Sequence, residues 1–155
     1  MDAQGRAVLP KTERTLRLQL EPAVRDAFGT ELSAVTIPVN GWRTTIERGF
    51  RNAFADAFRL SDQTADLTVV VAEAELSFAA TSYARNGRPI SAEAQVRYKA
   101  GLVDQQGAVL RRSAATVASK KSAGAPDEAT PVAAMAIESM YEQITRELFE
   151  ERTAR

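Results

Sequence analysis

The sequence predicts an α+β fold: a two-layer sandwich in which a largely antiparallel sheet has two helices packed on one of its faces. Three observations lead to this prediction. Apolar side chains recur at helical spacing in residues 42–58 and again in residues 133–148, whereas much of 67–118 alternates between apolar and polar side chains with the period of a strand. Because each pattern leaves one apolar surface, we expect helices and sheet to bury theirs against each other.

Length and composition indicate one ordinary globular domain. The chain has 155 residues, of which 45% are hydrophobic and 26% charged, which is enough to bury a core without disulfides or metals. Residues 1–14 show no period and are interrupted by Pro10, so we expect a flexible lead or tether. Residues 15–150 form the predicted domain, and residues 151–155 are expected to fray.

Composition argues against several kinds of function. Twenty basic and twenty acidic residues cancel, so no overall charge attracts nucleic acid. The absence of His and Cys removes the usual general base, the Cys and His nucleophiles and the zinc sites built on them. No glycine-rich phosphate loop occurs, and no segment of the sequence is long and apolar enough to span a bilayer. We therefore predict no catalytic residues, no metal and no cofactor.

Two strands are predicted before the aromatic-rich helix. The segment TLRLQLEP, from Thr15, alternates leucines with polar residues, as a half-buried strand does. Residues 23–29 are interpreted as a short irregular piece closed by Gly29, and SAVTIPV, residues 33–39, as the second strand. Pro38 cannot donate to a ladder, so this strand is expected at a sheet edge or close to its own end.

The segment NGWRTTIERGFRNAFADAF, residues 40–58, is predicted to be a helix with Asn40 as its N-cap. Its apolar stripe belongs either to the core or to a surface kept for a partner, and we favour a core pressed against the sheet. Small residues beside the stripe would let a flat sheet face approach closely. The stripe consists of Trp42, Ile46, Phe50, Phe54 and Phe58, and the small residues are Gly49, Ala53 and Ala57.

Residues 67–118 are predicted to form a three-stranded meander. In the first strand the even positions from Val70 to Ala80 are apolar; the first half is apolar at odd positions too, so we expect it to be covered on both faces. The turn DQQG, with Gly107 in the left-handed region, predicts Asp104 opposite Ala108. In the hairpin that contains this turn, the predicted pairs are Leu102–Leu110, Tyr98–Ala114 and Val96–Thr116. In the preceding hairpin, the apolar pattern predicts Phe78–Val96 and Leu76–Tyr98, which requires a longer loop or a bulge.

The closing helix is predicted to begin with Thr130 as its N-cap and Pro131 in its first turn. It carries an apolar stripe at helical spacing, which we expect to pack on the sheet beside the first helix. The stripe consists of Ala133, Ile137, Met140, Tyr141, Ile144 and Leu148.

Glu73 and Glu75 are the strongest acid pair for a catalytic site. They stand two residues apart on one face of a predicted strand, as the acids of a hydrolase do. Their neighbours alternate in the manner of a solvated sheet face, and we favour that interpretation. An enzyme that depends on acids or lysine is accordingly the weakest of the functional hypotheses.

The predicted binding residues are Arg97, Lys99 and Arg111, which we call the basic patch. Arg97 and Lys99 share the outer face of the meander, and the predicted register places Arg111 near Lys99. Such a patch fits an anionic lipid or an acidic protein surface, with binding that weakens as salt rises. Ordinary surface charge that discourages edge pairing is the alternative. Further along the same hairpin lie Arg112, Lys120 and Lys121.

The order of these elements resembles that of small lipoproteins of the Gram-negative envelope, namely the YajG-like lipoproteins and the LptE-like lipoproteins of lipopolysaccharide assembly. The segments that carry the resemblance are GWRTTIERGFRNAF, ADLTVVVAEAELSF, AEAQVRYKAGLVDQQGAVL and AAMAIESMYEQITRELF. It implies a periplasmic protein without catalytic activity, anchored in the outer membrane only through an N-terminal lipid. It also implies a partner in envelope biogenesis or lipid transport, either an envelope protein or an anionic lipid.

The chain departs from this family because the lipobox cysteine that would carry the lipid is absent. If the resemblance holds, Met1 stands in place of a signal peptide and the anchor cysteine. The competing hypothesis is a cytosolic α+β module that binds a small ligand or a protein, with Met1 as its natural start. The genomic sequence upstream of Asp2 distinguishes the two, since a hydrophobic stretch ending in Leu-x-x-Cys supports the lipoprotein.

Overall fold

The computed structural model describes residues 12–32, 35–83, 85–86, 89–119 and 129–149. Most of the predicted lead, the predicted frayed end and the lysines at 120 and 121 therefore lie outside the described residues. The strands are β1 (Thr15–Leu20), β2 (Phe28–Leu32), β3 (Val35–Val39), β4 (Arg59–Leu60), β5 (Leu67–Tyr83), β6 (Pro89–Asp104) and β7 (Val109–Ala118). The helices are α1 (Trp42–Phe54) and α2 (Ala129–Ile144), which continues into a π-helical turn, Thr145–Phe149.

The main sheet has five strands in the order β4-β1-β5-β6-β7, so the predicted α+β class is confirmed. The strands β5, β6 and β7 form the predicted antiparallel meander. β1, however, runs parallel to both β4 and β5, because α1 carries the chain back to the end at which β1 began. The sheet is therefore mixed, and its antiparallel part is the meander.

A separate antiparallel hairpin of β2 and β3 precedes α1. The piece interpreted as irregular in the sequence is thus partly a strand: Gly29 does not close a loop but lies opposite Pro38. Pro38 is tolerated because a two-stranded ribbon has outer edges at which no N–H is required. Phe28 packs edge-on against Trp42, with ring centroids 6.3 Å apart, and so joins the hairpin to the core.

The aromatic stripe is core, as predicted, from Trp42 to Phe54, where α1 ends; Phe58 lies beyond the helix and is only partly buried. Trp42, Ile46, Phe50 and Phe54 are all buried, and the Trp42 indole Nε1 donates a hydrogen bond to the Ala74 carbonyl oxygen at 3.0 Å. The buried indole N–H is therefore satisfied by the sheet itself. The stripe of α2 is buried in the same cluster, from Ala133 to Ile144, together with Leu148 in the π-helical turn.

The N-terminus of α1 differs from the prediction. Gly41, with φ of 70°, occupies the N-cap position instead of Asn40. Because glycine has no side chain, the cap residue itself supplies no side-chain acceptor to the first N–H groups of the helix. Asp26 supplies the missing acceptors, since its carbonyl oxygen accepts from the Trp42 N–H and its carboxylate from the Arg43 N–H, both at 3.0 Å. The cap comes from a residue distant in sequence, which local pattern cannot reveal.

A β-bulge at Ala72 divides β5 into two halves. Val71 lies opposite Ala100 and Glu73 opposite Lys99, which leaves Ala72 as the extra residue. Before the bulge the odd-numbered side chains are buried, and after it the even-numbered ones are. The expectation that the first half is covered on both faces was wrong. The bulge shifts the buried side chains from odd-numbered to even-numbered positions, so the buried side chains of both halves face the helices.

The β5–β6 hairpin keeps the predicted phase, whereas β7 has the opposite phase, and neither hairpin has the predicted pairs. The turn is as predicted: Gly107 has φ of 85°, and the Asp104 N–H donates to the Ala108 carbonyl oxygen at 3.0 Å. A bulge at Leu110 then shifts β7 by one residue, and β5 pairs with β6 two residues away from the prediction. The observed pairs are Leu102–Arg111, Tyr98–Ala115 and Val96–Val117, and Leu76–Val96 and Phe78–Ala94.

Helix α2, not the sheet, approaches the small residue at the centre of α1. A Cβ atom on Gly49 would lie 2.5 Å from the Ile137 Cγ2 atom and 3.1 Å from the Tyr141 ring. The hydroxyl of Tyr141 donates to the Ile46 carbonyl oxygen at 3.0 Å, and burial raises the pKa of this phenol. Gly49 therefore lets the two helices pack closely enough for this buried hydrogen bond.

Truncation of the stripe should destabilise the protein strongly. Phe54 is fully buried, so Phe54→Ala should lower the free energy of unfolding by about 3–5 kcal/mol, through lost apolar burial and the cavity left behind. Urea denaturation measures the change, and Val109→Ala, at a residue 48% exposed, is the control. A Phe54→Ala variant with the denaturation midpoint of the parent would contradict the core assignment.

Candidate functional site

The open face of the sheet, opposite the helices, carries cross-strand ion pairs. The Arg97 guanidinium lies 2.6 Å from the Glu75 carboxylate, and the Lys99 ammonium 3.6 Å from the Glu73 carboxylate. Arg97 and Lys99 therefore each face an acid on β5, so these two positive charges of the basic patch are locally balanced. The register of β5 and β6 thus selects Glu73 and Glu75 as the acids that neutralise Lys99 and Arg97.

Arg111 does not join Arg97 and Lys99, and the prediction that it lies near Lys99 was wrong. Ala114 faces Lys99, whereas Arg111 pairs with the inward-facing Leu102. The cause is the bulge at Leu110, which moves every later residue of β7 to the opposite face. The basic patch is thus divided between two surfaces of the protein.

The acid pair Glu73 and Glu75 lies on this solvated face, as favoured from the sequence. Both carboxylates are engaged by the cations of β6, and the side chain of Glu75 is 61% exposed. A general acid or nucleophile needs a partly desolvated setting in reach of a bound substrate. The two carboxylates lie instead on a flat, hydrated sheet surface.

A second polar cluster, which the sequence analysis did not identify, is buried between β6, β7 and the π-helical turn. The Tyr98 and Ser113 hydroxyl oxygens are 2.8 Å apart, and the Ser113 hydroxyl donates to the Glu147 carboxylate at 2.7 Å. Burial, followed by the nearby charge of Glu147, raises the pKa of Tyr98. Tyr98 and Ser113 are only 1% and 2% exposed, so the cluster fastens the turn to the sheet and offers no substrate access.

The edge of the sheet at β1 is partly closed by side chains. β4 pairs only with the first residues of β1, and a cleft of about 350 Å³ lies between the remaining edge and α1. The Arg43 guanidinium enters from α1 and donates to the carbonyl oxygens of Leu20, Glu21 and Val24 at 2.7 to 3.0 Å. This arginine therefore satisfies the end of the strand itself and is not available to a ligand.

The opposite edge of the sheet is formed by β7, which is 10 residues long. Among the residues that the structure describes, no strand pairs with the outer side of β7. The Ser119 N–H donates to the Ala94 carbonyl oxygen on β6 at 2.8 Å. Because backbone groups alternate in direction along an antiparallel strand, those of residues 112, 114, 116 and 118 point away from β6. Four successive pairs of N–H and C=O groups thus face outwards along this edge.

At the foot of the sheet, where β1 and β5 begin, Asp66 ties three segments together. Its carboxylate accepts from the Thr15 N–H at 3.0 Å and from the Gln105 amide at 2.9 Å. The hydrogen bond from the Thr15 backbone lowers the pKa of this carboxyl below its usual value. A lowered pKa means that the contribution of Asp66 to stability is present above the unfolded-state pKa and is lost as the pH falls through the folded-state pKa.

Comparison with known proteins gives no family match but a clear structural likeness. No family model matches the chain, and neither does any curated protein. A minor lipoprotein from Acinetobacter baumannii superimposes with a TM-score of 0.51 at 14% identity, over 88% of this chain and 91% of that one. Lipoprotein B from Nitrosomonas europaea gives 0.50 at 12% identity, over 88% and 85%. A third structure, described as an uncharacterized protein, gives 0.53 at 15% identity, over 89% and 94%.

The chain has the fold of small bacterial lipoproteins. The predicted resemblance is confirmed at this level, and the narrower likeness to the YajG-like and LptE-like groups stays a prediction. No cluster of three or more acidic side chains suited to a metal ion occurs among the described residues. Nor is any helix in the described ranges long and apolar enough to cross a membrane.

The ion pairs of the open face predict an effect of charge reversal on stability. The double variant Arg97→Glu, Lys99→Glu places acid opposite acid on β5 and β6 and should lose about 1–2 kcal/mol at low salt. Reversing Glu73 and Glu75 to lysine in the same chain restores opposite charges and should recover most of the loss. Urea denaturation at low and high salt checks both variants; an unchanged midpoint at low salt would mean that the pairs do not form in solution.

Proposed function

We propose that the chain is the folded domain of a non-enzymatic lipoprotein of the Gram-negative envelope. In its full-length form it would be held at the periplasmic side of the outer membrane by an N-terminal lipid, and it would bind a protein partner in envelope biogenesis. The fold shared with bacterial lipoproteins supports the first part. The free edge of β7 supports the second, since it is the observation that most directly indicates where a partner chain would bind.

The β7 edge is suited to the addition of a strand. An extended segment from a partner can pair with outward-facing N–H and C=O groups and so extend the sheet. Proteins usually protect such edges with Pro, Lys or inward-pointing charges. From residue 112 to residue 118 β7 has only one charged side chain, Arg112, and the side chains flanking the edge are mostly small. These small side chains would leave room for a partner strand to approach the backbone of β7.

The other surfaces are less suited to a protein partner. On the open face the charges of Arg97 and Lys99 are already balanced within the sheet, so an acidic partner would have to displace existing ion pairs. At the β1 edge, Arg43 satisfies the last carbonyl oxygens and β4 covers the first ones. Strand addition at β7 requires neither change, because no strand in the described part of the chain pairs with its outward-facing backbone groups.

The partner surface can be mapped by photo-crosslinking in cells that carry the full-length gene. A photoreactive residue at Thr116, on the β7 edge, should form a crosslinked species with a partner, whereas one at Ser77, exposed on the central strand β5, should not. Ala114→Pro removes an outward-facing N–H and should abolish the Thr116 crosslink, since no hydrogen bond of the β6–β7 ladder is lost. A crosslink that survives Ala114→Pro, or that is as strong from Ser77, would contradict the proposal.

The lipid anchor has its own test. The product of the full-length gene should incorporate an alkynyl fatty acid during growth and should sediment with the outer membrane. Replacement of the cysteine predicted upstream of Asp2 by serine should abolish the labelling and release the protein. A natural start codon at Met1 and an unlabelled product in the cytosol would instead establish the cytosolic binding module.

A further inference from the structure

The cations on the open face of β6 and β7 differ in their surroundings. On β6, Arg97 and Lys99 each face an acid of the neighbouring strand β5. On β7, Arg112 lies opposite Gly101, which has no side chain. In the described part of the chain, Arg112 is exposed and no hydrogen bond or ion pair engages its guanidinium. The charge of Arg112 is therefore not balanced by the strand beside it, in contrast to the charges on β6.

Strand addition at β7 would bring a new neighbour to Arg112 from its outer side. The residue of a partner strand directly opposite Arg112 would have its side chain on the same open face, with the two Cβ atoms about 5 Å apart. A carboxylate at that position would repeat the cross-strand ion pairs that β6 forms with β5. A cation there would be unfavourable, because like charges directly opposite each other destabilise a sheet.

The helix side of β7 has apolar side chains that are incompletely covered. Ala115 and Val117 lie beside Tyr98 and Val96. Tyr98 and Val96, which have a strand on each side, are 1% and 0% exposed, whereas Ala115 and Val117 are only partly buried. Apolar side chains on the helix side of a partner strand would cover them and remove apolar area from water.

We propose that the β7 edge selects an amphipathic acidic strand. Its side chains alternate, with apolar residues on the helix side next to Ala115 and Val117 and a carboxylate on the open face next to Arg112. This inference rests on the proposed function, because it specifies the partner of the edge identified there. A second copy of the chain fits less well, since β7 contains no acid to place beside Arg112.

The phase of the acid along the partner strand is part of the proposal. A shift of one residue would move the carboxylate from the open face to the helix side. On that side Glu147 already accepts a hydrogen bond from Ser113 of β7 at 2.7 Å. A second carboxylate there would meet this acid and the apolar side chains instead of the guanidinium.

Two fluorescein-labelled peptides of equal length test the charge preference of the purified domain. Both alternate valine with threonine, and on the threonine phase one carries glutamate at each end and the other lysine, so either strand direction brings an end to Arg112. In fluorescence anisotropy at low salt, the parent should bind the glutamate peptide about fivefold more tightly than the lysine peptide. Absence of binding by both peptides, or equal affinities, would overturn the proposal.

Variants of the domain assign this preference to Arg112. Arg112→Glu should reverse it, whereas Arg17→Glu makes the same charge change on β1, three strands or about 14 Å away, and should leave it within about twofold because of screening. Thermal melts establish that the variants are folded; should Arg112→Glu unfold, Arg112→Ala tests the same contact and should abolish the preference. A preference that persists without Arg112 would overturn the proposal.

A third peptide tests the phase. It has the same composition as the glutamate peptide, but its glutamates stand on the valine phase, so the parent should bind it about fivefold more weakly or worse. Equal binding of these two peptides would mean that the edge does not distinguish the faces of its partner, which contradicts the proposal.

Failure of this inference and failure of the proposed function give different results. If the edge binds a partner of other chemistry, the Thr116 crosslink forms in cells although the purified domain does not prefer the acidic peptide, and only the present proposal is overturned. If the edge is not a partner surface, the crosslink is absent as well. Self-association of the purified domain that Ala114→Pro abolishes would assign the edge to a second copy and would also overturn the acidic partner.

Discussion

The bulge at Ala72 is the constraint on which the arrangement of the sheet depends. A strand of 17 residues without a bulge would keep one phase of its side chains on each face. The sequence of β5 changes phase in the middle, with apolar side chains at Leu67, Val69 and Val71 but then at Ala74, Leu76 and Phe78. The extra residue reconciles the two halves, so all six of these side chains face the helices.

Several other contacts follow from that bulge. It places the Ala74 carbonyl oxygen where the Trp42 indole N–H reaches it, and the first residue of α1 is thereby fixed to the sheet. It also turns Glu73 and Glu75 to the open face, opposite Lys99 and Arg97. One inserted residue thus determines both how the core is joined to α1 and why the charges on the opposite face cancel.

The second bulge, at Leu110, has the corresponding effect on β7. It decides which face each of two adjacent arginines occupies: Arg111 lies on the helix side and Arg112 on the open face. It also takes Leu110 out of the cross-strand pairs with β6 and leaves this side chain 50% exposed. Beyond the bulge, the same strand presents outward-facing backbone groups with which no other described strand pairs. This edge does not resemble a catalytic site, and the buried hydroxyls of Tyr98 and Ser113 serve to hold the π-helical turn.

The sequence by itself determined the elements that depend on local periodicity. The stripe of α1, the stripe of α2, the alternation in the meander and the turn at Gly107 each follow from the spacing of apolar residues or from the backbone freedom of glycine. These patterns were sufficient for the α+β class and for most of the core. They were also sufficient to indicate a lipoprotein fold, because that fold is largely defined by the order of its elements.

Tertiary structure alone decided the pairings and the surfaces. The parallel position of β1, the cap that Asp26 supplies to α1, and both bulges depend on which segments meet, and a change of one residue in register exchanges the two faces of a strand. For this reason Arg97 and Lys99 could be placed on one face from the sequence, whereas their acidic partners and the position of Arg111 could not.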